Sequence, residues 1–242
     1  MTTFPDDHPF SGPDAPLRMA EALNSLGDTG AGSHRRGVLH EMAGATRRAI
    51  AELMTTVADD AAIEEASRLV ARAAELLAGG PHGRPYEGAA EGSVGGDPRA
   101  FVDYSPLVGP VNPLAPPLAI EVSDGVVVGR GVFRDAYEGP PGCIHGGFIA
   151  AAFDEVLGFV QSLTGRPGMT GRLTVTYRSP SPLHQEVRFE GRVERVDGRK
   201  IFTKGALRHG ATLCAEAEGL FISVDPAVFA TLLAQRGPTP PA

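Results

Sequence analysis

Two neighbouring features of this sequence suggest a reactive site: the turn His145-Gly146-Gly147 and the acid Asp154, seven residues after it. Two glycines at the start of a helix let another molecule approach the backbone closely. The first amide groups of a helix have no intrahelical partner and lie at the positive end of its dipole, so they suit an oxyanion or a polarised carbonyl. Asp154 stands among small and apolar residues, which favours a functional role for this acid.

A single helix from about His145 to Leu163 is predicted to position these groups. Its large apolar residues fall on one face, which must be buried. They are Ile149, Phe153, Val156, Leu157 and Val160. A second face carries Asp154 in a stripe of small residues, Gly147, Ala151 and Gly158. Such a stripe indicates that something packs very close to the helix.

The spacing of Gly146 and Asp154 bears on the quaternary structure. Eight residues of helix separate them by roughly 12 Å along the axis, so the two groups cannot easily touch one carbonyl. If both serve one reaction, a two-fold partner must supply one of them. The sequence therefore predicts a homodimer with sites at its interface.

Together with its surroundings, this stretch resembles the hotdog-fold acyl-CoA thioesterases. Besides the His-Gly-Gly turn and Asp154, the resemblance rests on a strand that opens with Thr170 and on the hairpin from Arg195 to Lys200. It covers about residues 101–224. The sequence is most similar to a branch of the phenylacetate-pathway-like group that carries Glu-Gly-Pro-Pro-Gly before the His-Gly-Gly, here Glu138 to Gly142.

One position departs from many members of the family. They carry an asparagine about six residues before the histidine, where this sequence has Gly139. The Pro-Pro-Gly branch lacks that asparagine too, so Gly139 is interpreted as a character of the branch.

The resemblance implies a role for each residue of the turn and helix. Asp154 would act as a general base for water or as a nucleophile through an anhydride. A backbone amide of the turn, that of Gly146 in preference to Gly147, would bind the thioester oxygen from the partner subunit. His145 would orient the loop, and Thr170 would come from the second subunit to hold water or substrate.

Four further residues are candidates for contacts with coenzyme A. Arg178, Arg199 and Lys200 suit phosphate groups because of their charge and donor geometry, and relatives use a residue at the position of Thr176 along the nucleotide. The alternative is that these are exposed charges of a sheet. Coenzyme A would be part of the substrate, and no cofactor or metal is predicted, because the histidines lack metal-ligand spacing.

Composition excludes several classes of protein. The net charge of −7 over 242 residues argues against nucleic acid as the main partner. No run approaches 18 apolar residues, so no membrane span is expected. Two cysteines do not make a disulfide framework, and the N-terminus has no signal region; both observations favour the cytoplasm.

The chain divides into five predicted parts. Residues 1–35 are rich in Pro, Gly, Asp and Ser and are expected to be irregular or disordered. A helical extension over residues 36–80, a glycine-rich linker over 81–100, the hotdog domain over 101–226 and a tail over 227–242 follow. The predicted fold class is α+β, a long central helix wrapped by an antiparallel sheet, with an N-terminal helical extension.

The extension contains two predicted amphipathic helices. The first repeats apolar residues from Leu39 to Leu53 at a three-four spacing, and the second does so from Ile63 to Leu77. These stripes are expected to pack on the thioesterase body or on its dimer mate; the alternative is a lid or an element that docks a partner. The basic pair Arg47-Arg48 is interpreted as part of a solvated helix face.

The hotdog domain is predicted to contain two strands before the long helix and at least four antiparallel strands after it. Asp124-Gly125 between apolar runs is a strong hairpin signal. Leu173 alternates with Thr174, and the same alternation continues to Arg178. Glu155, next to Asp154, is interpreted as a solvated neighbour.

The predicted function is hydrolysis of an acyl-CoA, of the kind found in fatty acid metabolism, to a free acid and coenzyme A by a dimer or a dimer of dimers. The first alternative is a non-catalytic hotdog module that binds acyl-CoA or lipid and carries a helical docking arm. A hotdog enoyl-CoA hydratase is disfavoured, because Phe159 stands where that family resemblance would require a histidine five residues after Asp154.

Overall fold

The computed structural model describes residues 34–82, 102–116, 118–166 and 168–225, together with residues 228 and 231. The predicted irregular N-terminus, the linker and the tail lie almost entirely outside these ranges. Within the described ranges, no helix is both long and apolar enough to cross a membrane.

Six antiparallel strands form one sheet in the order β1-β2-β4-β5-β6-β3. They are β1 (Ala119–Ser123), β2 (Val126–Val132), β3 (Gly168–Tyr177), β4 (Glu186–Asp197), β5 (Lys200–His209) and β6 (Thr212–Ser223). The predicted turn between β1 and β2 is confirmed: Asp124 and Gly125 have φ values of 51° and 74°, the left-handed conformation that a tight hairpin needs.

The helices whose full extent is described are α1 (His34–Thr55), α2 (Asp60–Ala78) and α3 (Gly146–Ser162), and a short 3-10 turn spans Asp135–Tyr137. Helix α3 packs against one face of the sheet through the apolar face that the sequence predicts. All five residues of that face are at most 3% exposed. They contact sheet residues such as Phe189, whose ring lies 5.2 Å from that of Phe153. The hotdog arrangement is thus confirmed.

Strand β3 lies at the edge of the sheet and contains a bulge. Thr170 and Arg172 pair with consecutive residues of β6, which leaves Gly171 as an extra residue. The insertion reverses the alternation of side chains. Thr170 therefore shares the helix-facing side of the strand with Leu173 and Val175, although simple alternation would put it on the opposite face.

Helix α1 contacts the body of the protein through polar groups. Arg36 forms a two-point ion pair with Asp103, at 2.7 and 2.8 Å, and both side chains are largely buried. Arg47 donates to the carbonyl oxygens of Asn112 at 2.8 Å and Pro110 at 3.1 Å. The interpretation of Arg47 as a solvated residue is therefore wrong, because the loop between α2 and β1 offers it two carbonyl acceptors.

Helix α2 leaves its apolar stripe uncovered by the described residues. Its start is capped by Asp59, which accepts a hydrogen bond from the Ala62 amide at 2.9 Å, and it ends at Gly79 as predicted. None of its residues is buried. The expected packing of this stripe on the thioesterase body is not found within the described chain.

Candidate functional site

The segment before helix α3 is a tight turn held by its own backbone. The Gly139 amide donates to Cys143 and the His145 amide donates to Tyr137, at 2.9 and 2.8 Å. The Glu138 carboxylate accepts from the Gly142 amide at 2.7 Å. The Glu-Gly-Pro-Pro-Gly motif therefore fixes the path of the chain into the helix.

His145 caps helix α3. Its Nδ1 accepts a hydrogen bond from the Gly147 amide at 3.0 Å, which requires the neutral imidazole to carry its proton on Nε2. The amides of Phe148 and Ile149 are bonded to the His145 carbonyl. His145 therefore holds the start of α3 through both its side chain and its carbonyl, and its orienting role in catalysis stays a prediction.

The N–H of Gly146 is the unpaired donor of this turn. Among the described residues, no acceptor is bonded to it, whereas the neighbouring Gly147 N–H is already used by His145. An unpaired first-turn amide at the positive end of a helix can stabilise a developing oxyanion. The Gly146 N–H is therefore available to a ligand, whereas the Gly147 N–H is not.

Tyr177 also contacts the turn, although no pattern in the sequence indicates this contact. Its hydroxyl donates to the Gly146 carbonyl at 2.7 Å, and a methyl group on Gly146 would lie 3.2 Å from that oxygen. Tyr177 ends strand β3, 31 residues after Gly146. Only the sheet brings the two together, so no local pattern reveals the contact.

Asp154 lies on the exposed stripe of small residues, with Thr170 beside it. The Thr170 hydroxyl donates to Oδ1 of Asp154 at 2.8 Å, which leaves Oδ2 accessible. This contact lies within one chain, whereas the resemblance implies that Thr170 comes from the second subunit. The bulge at Gly171 explains the difference, because it turns Thr170 towards its own helix.

Glu155 is not a solvated neighbour, contrary to the interpretation of the sequence. It lies beneath the segment that precedes β1, and the Ser105 hydroxyl donates to its Oε1 at 2.5 Å. Burial raises the pKa of Glu155, the hydrogen bond from Ser105 lowers it, and the charge of Asp154 raises it. The signal in the sequence that could have indicated this contact was the apolar face of α3, because Glu155 lies beside that face.

A single chain does not bring Gly146 and Asp154 together. Both belong to helix α3 and lie eight residues apart, which corresponds to roughly 12 Å along its axis. The described chain therefore contains two half-sites, a donor near Tyr177 and an acid near Thr170.

The four predicted coenzyme A residues lie at two ends of the sheet. Thr176 and Arg178 border a groove of about 470 Å³ on the sheet face away from α3, in which Arg178 pairs with Glu216 at 2.8 Å. Arg199 lies at the other end of β6, where its side chain donates to the Ser223 carbonyl at 3.0 Å, and Lys200 follows it. They do not form one cluster within one chain.

In the part of the chain that the structure describes, no group of three or more His, Cys, Asp or Glu side chains is placed to hold a metal ion.

Comparison with known proteins points to one family. The model of the thioesterase superfamily matches residues 141–216. Acyl-coenzyme A thioesterase THEM4 of Xenopus laevis is 41% identical over 91 residues, and that of Bos taurus is 38% identical over 91 residues. These alignments cover 37% of this chain and 41% and 37% of the relatives. The chain thus spans about two fifths of the length of the curated relatives it matches.

A solved structure matches more of the chain. The crystal structure of a thioesterase superfamily protein is 35% identical in sequence, with a TM-score of 0.66, and the alignment covers 76% of this chain and 94% of that one. Residues 102–225 make up only about half of the 242 residues, so the similarity extends into the N-terminal region.

Proposed function

Because this chain belongs to the thioesterase superfamily, we propose that it is an acyl-CoA thioesterase that releases a free acid and coenzyme A. The named activity of the THEM4 relatives supports this substrate class. The observation that carries the proposal is the unpaired Gly146 N–H at the start of the helix that also bears Asp154. Coenzyme A enters as part of the substrate, so the reaction needs no separate cofactor.

In the first form of the mechanism, Asp154 acts as a general base. Its Oδ2 accepts a proton from water as the water oxygen attacks the thioester carbon. The N–H of the partner's Gly146 stabilises the negative charge on the carbonyl oxygen. The C–S bond then breaks, and the sulfur leaves as a thiol after taking the proton from Asp154. Thr170 holds the carboxylate through Oδ1 throughout.

In the second form, Asp154 is the nucleophile. Its carboxylate attacks the thioester carbon, coenzyme A leaves, and water hydrolyses the resulting mixed anhydride. A single turnover in ¹⁸O-labelled water distinguishes the two forms. Attack of water on the aspartyl carbon of the anhydride puts the label into Asp154, whereas the general-base route puts the label into the released acid.

A two-fold dimer through strand β3 would complete the site. Among the described residues, no strand pairs with the outer side of this ten-residue strand, and such an open edge favours pairing with another strand. Antiparallel pairing centred on Thr174, with Gly171 as the extra residue of the bulge, sets Thr170 opposite the partner's Tyr177. Because Thr170 contacts Asp154 and Tyr177 contacts Gly146, each acid would then lie near the partner's free amide. Two such dimers can form a tetramer.

The same dimer would join the two sets of coenzyme A candidates. Thr176 and Arg178 lie beside Tyr177, at the amide half-site, and Arg199 is bonded to Ser223, which pairs with Gly168 near the acid half-site. Two-fold pairing of β3 therefore directs one set from each protomer to the same site. To bind a phosphate group of coenzyme A, Arg178 would have to break its ion pair with Glu216. The Glu-Gly-Pro-Pro-Gly motif, in which the Glu138 carboxylate accepts a hydrogen bond from the Gly142 amide, supports membership of the Pro-Pro-Gly branch of the phenylacetate-pathway-like group.

Substitution of Asp154 tests the proposal. Asp154→Asn keeps the size of the side chain and removes the base, and we expect kcat for acyl-CoA hydrolysis to fall by about 10²- to 10⁴-fold. The measurement is thiol release across a panel of short, long and aromatic acyl-CoA substrates. Equal turnover by the variant and the wild type on a substrate that both bind would reject the mechanism.

A second candidate function is a non-catalytic acyl-CoA or lipid-binding module with a docking arm. The uncovered apolar stripe of α2 favours it. Wild-type protein that binds acyl-CoA without hydrolysing any member of the panel would support this candidate.

A further inference from the structure

We infer that the uncovered apolar stripe of helix α2 binds the α2 of a second copy of this chain, in antiparallel orientation. The large residues of the stripe are Ile63, Leu69, Val70, Leu76 and Leu77. The last four are between 58% and 64% exposed, although side chains of this kind are usually buried when they cluster on one face. The inference goes beyond the proposed function, and its test does not depend on hydrolysis.

The spacing of apolar residues in α2 indicates that a helix covers the stripe. They recur at alternating steps of three and four, which is the seam of a two-stranded coiled coil. The residues of this seam are Ile63, Ala66, Val70, Ala73 and Leu77. Leu69 and Leu76 lie along one side of the seam, and Ser67 and Ala74 lie along the other. The 19 residues of α2 present a seam roughly 28 Å long, which a second α2 matches in length.

The alternation of large and small residues makes the seam complementary to itself. In an antiparallel pair centred on the middle of residues 66–77, Leu77 packs opposite the partner's Ala66, and Val70 packs opposite the partner's Ala73. Each layer then combines one large and one small side chain, as a two-fold interface requires. A parallel pair would set alanine opposite alanine in every second layer, which leaves gaps between the helices.

The same antiparallel register covers the side of the seam. It brings Leu69 next to the partner's Leu76, so that the four most exposed large residues of the stripe all become buried. It also places the two helix dipoles head to tail, which is the favourable arrangement. One register therefore satisfies the seam, its flank and the dipoles together.

The charges of α2 favour an apolar helix over a membrane surface as the partner. Both arginines are paired on the other side of the helix, Arg68 with Glu65 at 2.8 Å and Arg72 with Glu75 at 3.1 Å. Between residues 64 and 75, no charged residue lies in the seam or beside it. A helix that lies on a membrane is usually rich in lysine and arginine on its polar face, whereas α2 has four acidic and two basic residues.

A second copy is also the partner that the proposed dimer brings close. The edge strand β3 and helix α2 are different parts of the chain, so one protein can use both surfaces. Pairing through α2 would occupy the surface that the second candidate function assigns to a docking partner.

Cysteine cross-linking of the full chain tests the pairing. Val70→Cys and Ala73→Cys, co-expressed with an affinity tag on one of them, should form a disulfide with each other under mild oxidation, because these positions face each other across the seam. The matched control is Arg68→Cys co-expressed with Glu75→Cys, which has the same offset on the outer side of the helix. The control should give no more linked protein than the wild type, which retains its two native cysteines.

Val70→Glu gives a second readout, because it buries an unpaired charge in the seam. We expect the apparent dissociation constant of self-association, measured by sedimentation, to rise by about tenfold or more. Ala71→Glu adds the same charge outside the seam and should associate like the wild type. Circular dichroism of both variants shows whether the fold is retained, which the exposure of Val70 in the single chain favours.

Equal linkage in the seam pair and the control pair, or equal self-association of Val70→Glu and wild type, would overturn the inference. So would faster linkage of Val70→Cys to itself than to Ala73→Cys, which means a parallel pair.

Two further results would assign the stripe to another occupant and overturn the inference. Hydrogen-exchange protection of α2 at every protein concentration, without linkage between chains, would mean that another part of the same chain covers it. Flotation of the wild type but not of Val70→Glu with phosphatidylserine vesicles would mean that lipid does. Because none of these measurements uses an acyl-CoA, they separate failure of the inference from failure of the proposed function.

Discussion

Gly139 has to be a glycine because the chain folds back on itself beside it. A methyl group at this position would lie 2.7 Å from the His145 Cα and 3.1 Å from its Cβ. The neighbour that would have to move is backbone, so the clash cannot be relieved by rotating a side chain. The same backbone carries the histidine that caps α3 and leaves the Gly146 amide unpaired.

We expect Gly139→Ala to destabilise the protein by about 1–3 kcal/mol, because the added methyl group overpacks the turn. The measurement is the free energy of unfolding in denaturant. Gly37→Ala is the control: it lies in α1 with no atom within 4 Å of the new methyl group, and alanine there should be stabilising by about 0.5–1 kcal/mol. A Gly139→Ala protein as stable as the wild type would show that the turn can open without cost.

Helix α1 is attached to the rest of the protein mainly by charged side chains, whereas an ordinary amphipathic helix is attached by apolar contacts. Of its residues only Ala43 is buried, and the contacts that anchor it are the Arg36–Asp103 ion pair and the carbonyls bound by Arg47. His40 lies among these groups, and its buried Nε2 has no hydrogen-bond partner among the described residues. Protonation of His40 would add a positive charge between two arginines.

We therefore predict that α1 is held less tightly in acid. Burial lowers the pKa of His40 from its ordinary 6.5; the charges of Arg36 and Arg47 lower it further, and Asp103 opposes them. Since the folded pKa is depressed, the stability is present above pH 6.5 and is lost as the pH falls towards the folded value. The protection factors of the amides of residues 34–55, which correct exchange rates for their intrinsic pH dependence, should therefore fall between pH 7 and pH 5.

His40→Gln should remove most of this pH dependence, because glutamine does not titrate. His82→Gln, on an exposed histidine beyond α2, should preserve it. If exchange in α1 responds to pH equally in wild type and His40→Gln, another group is responsible.

The molecule as a whole needs a second copy to complete the proposed site. One chain presents an acid with Thr170 and a free amide with Tyr177, and the rigid helix between them keeps the two apart. No rearrangement within a folded chain brings them to one carbonyl. The proposed dimer is therefore part of the proposed mechanism.

Mixed dimers test this directly. Gly146→Pro removes the N–H at the first position of a helix, where proline is tolerated, and Gly146→Ala is its control because it keeps the N–H. Each of Asp154→Asn and Gly146→Pro should be inactive alone. After co-refolding in equal amounts, about a quarter of wild-type activity should return, because half of the dimers are mixed and each has one intact site.

The control is the double variant Asp154→Asn/Gly146→Pro, which should recover no activity after refolding, because its dimers contain no intact site. A mixture of the two single variants that stays inactive, while affinity capture through a tag on one variant recovers the other variant with it, would mean that acid and amide act within one chain.

The local pattern of the sequence determined the elements and the character of the turn. The apolar face of α3, the Asp124-Gly125 hairpin and the alternating strands were all predicted, because their period follows from burial of one face of a helix or sheet. The distance between Gly146 and Asp154 followed from helix geometry alone, and with it came the dimer prediction.

What the sequence did not reveal depends on pairs of residues far apart in the chain. The bulge at Gly171 decides which way Thr170 points, and a pattern of period two gives the wrong face. The contacts of Tyr177 with Gly146, Ser105 with Glu155 and Arg47 with the loop carbonyls join residues at least 31 positions apart. Such contacts arise only when packing fixes both partners, so tertiary structure alone decided them.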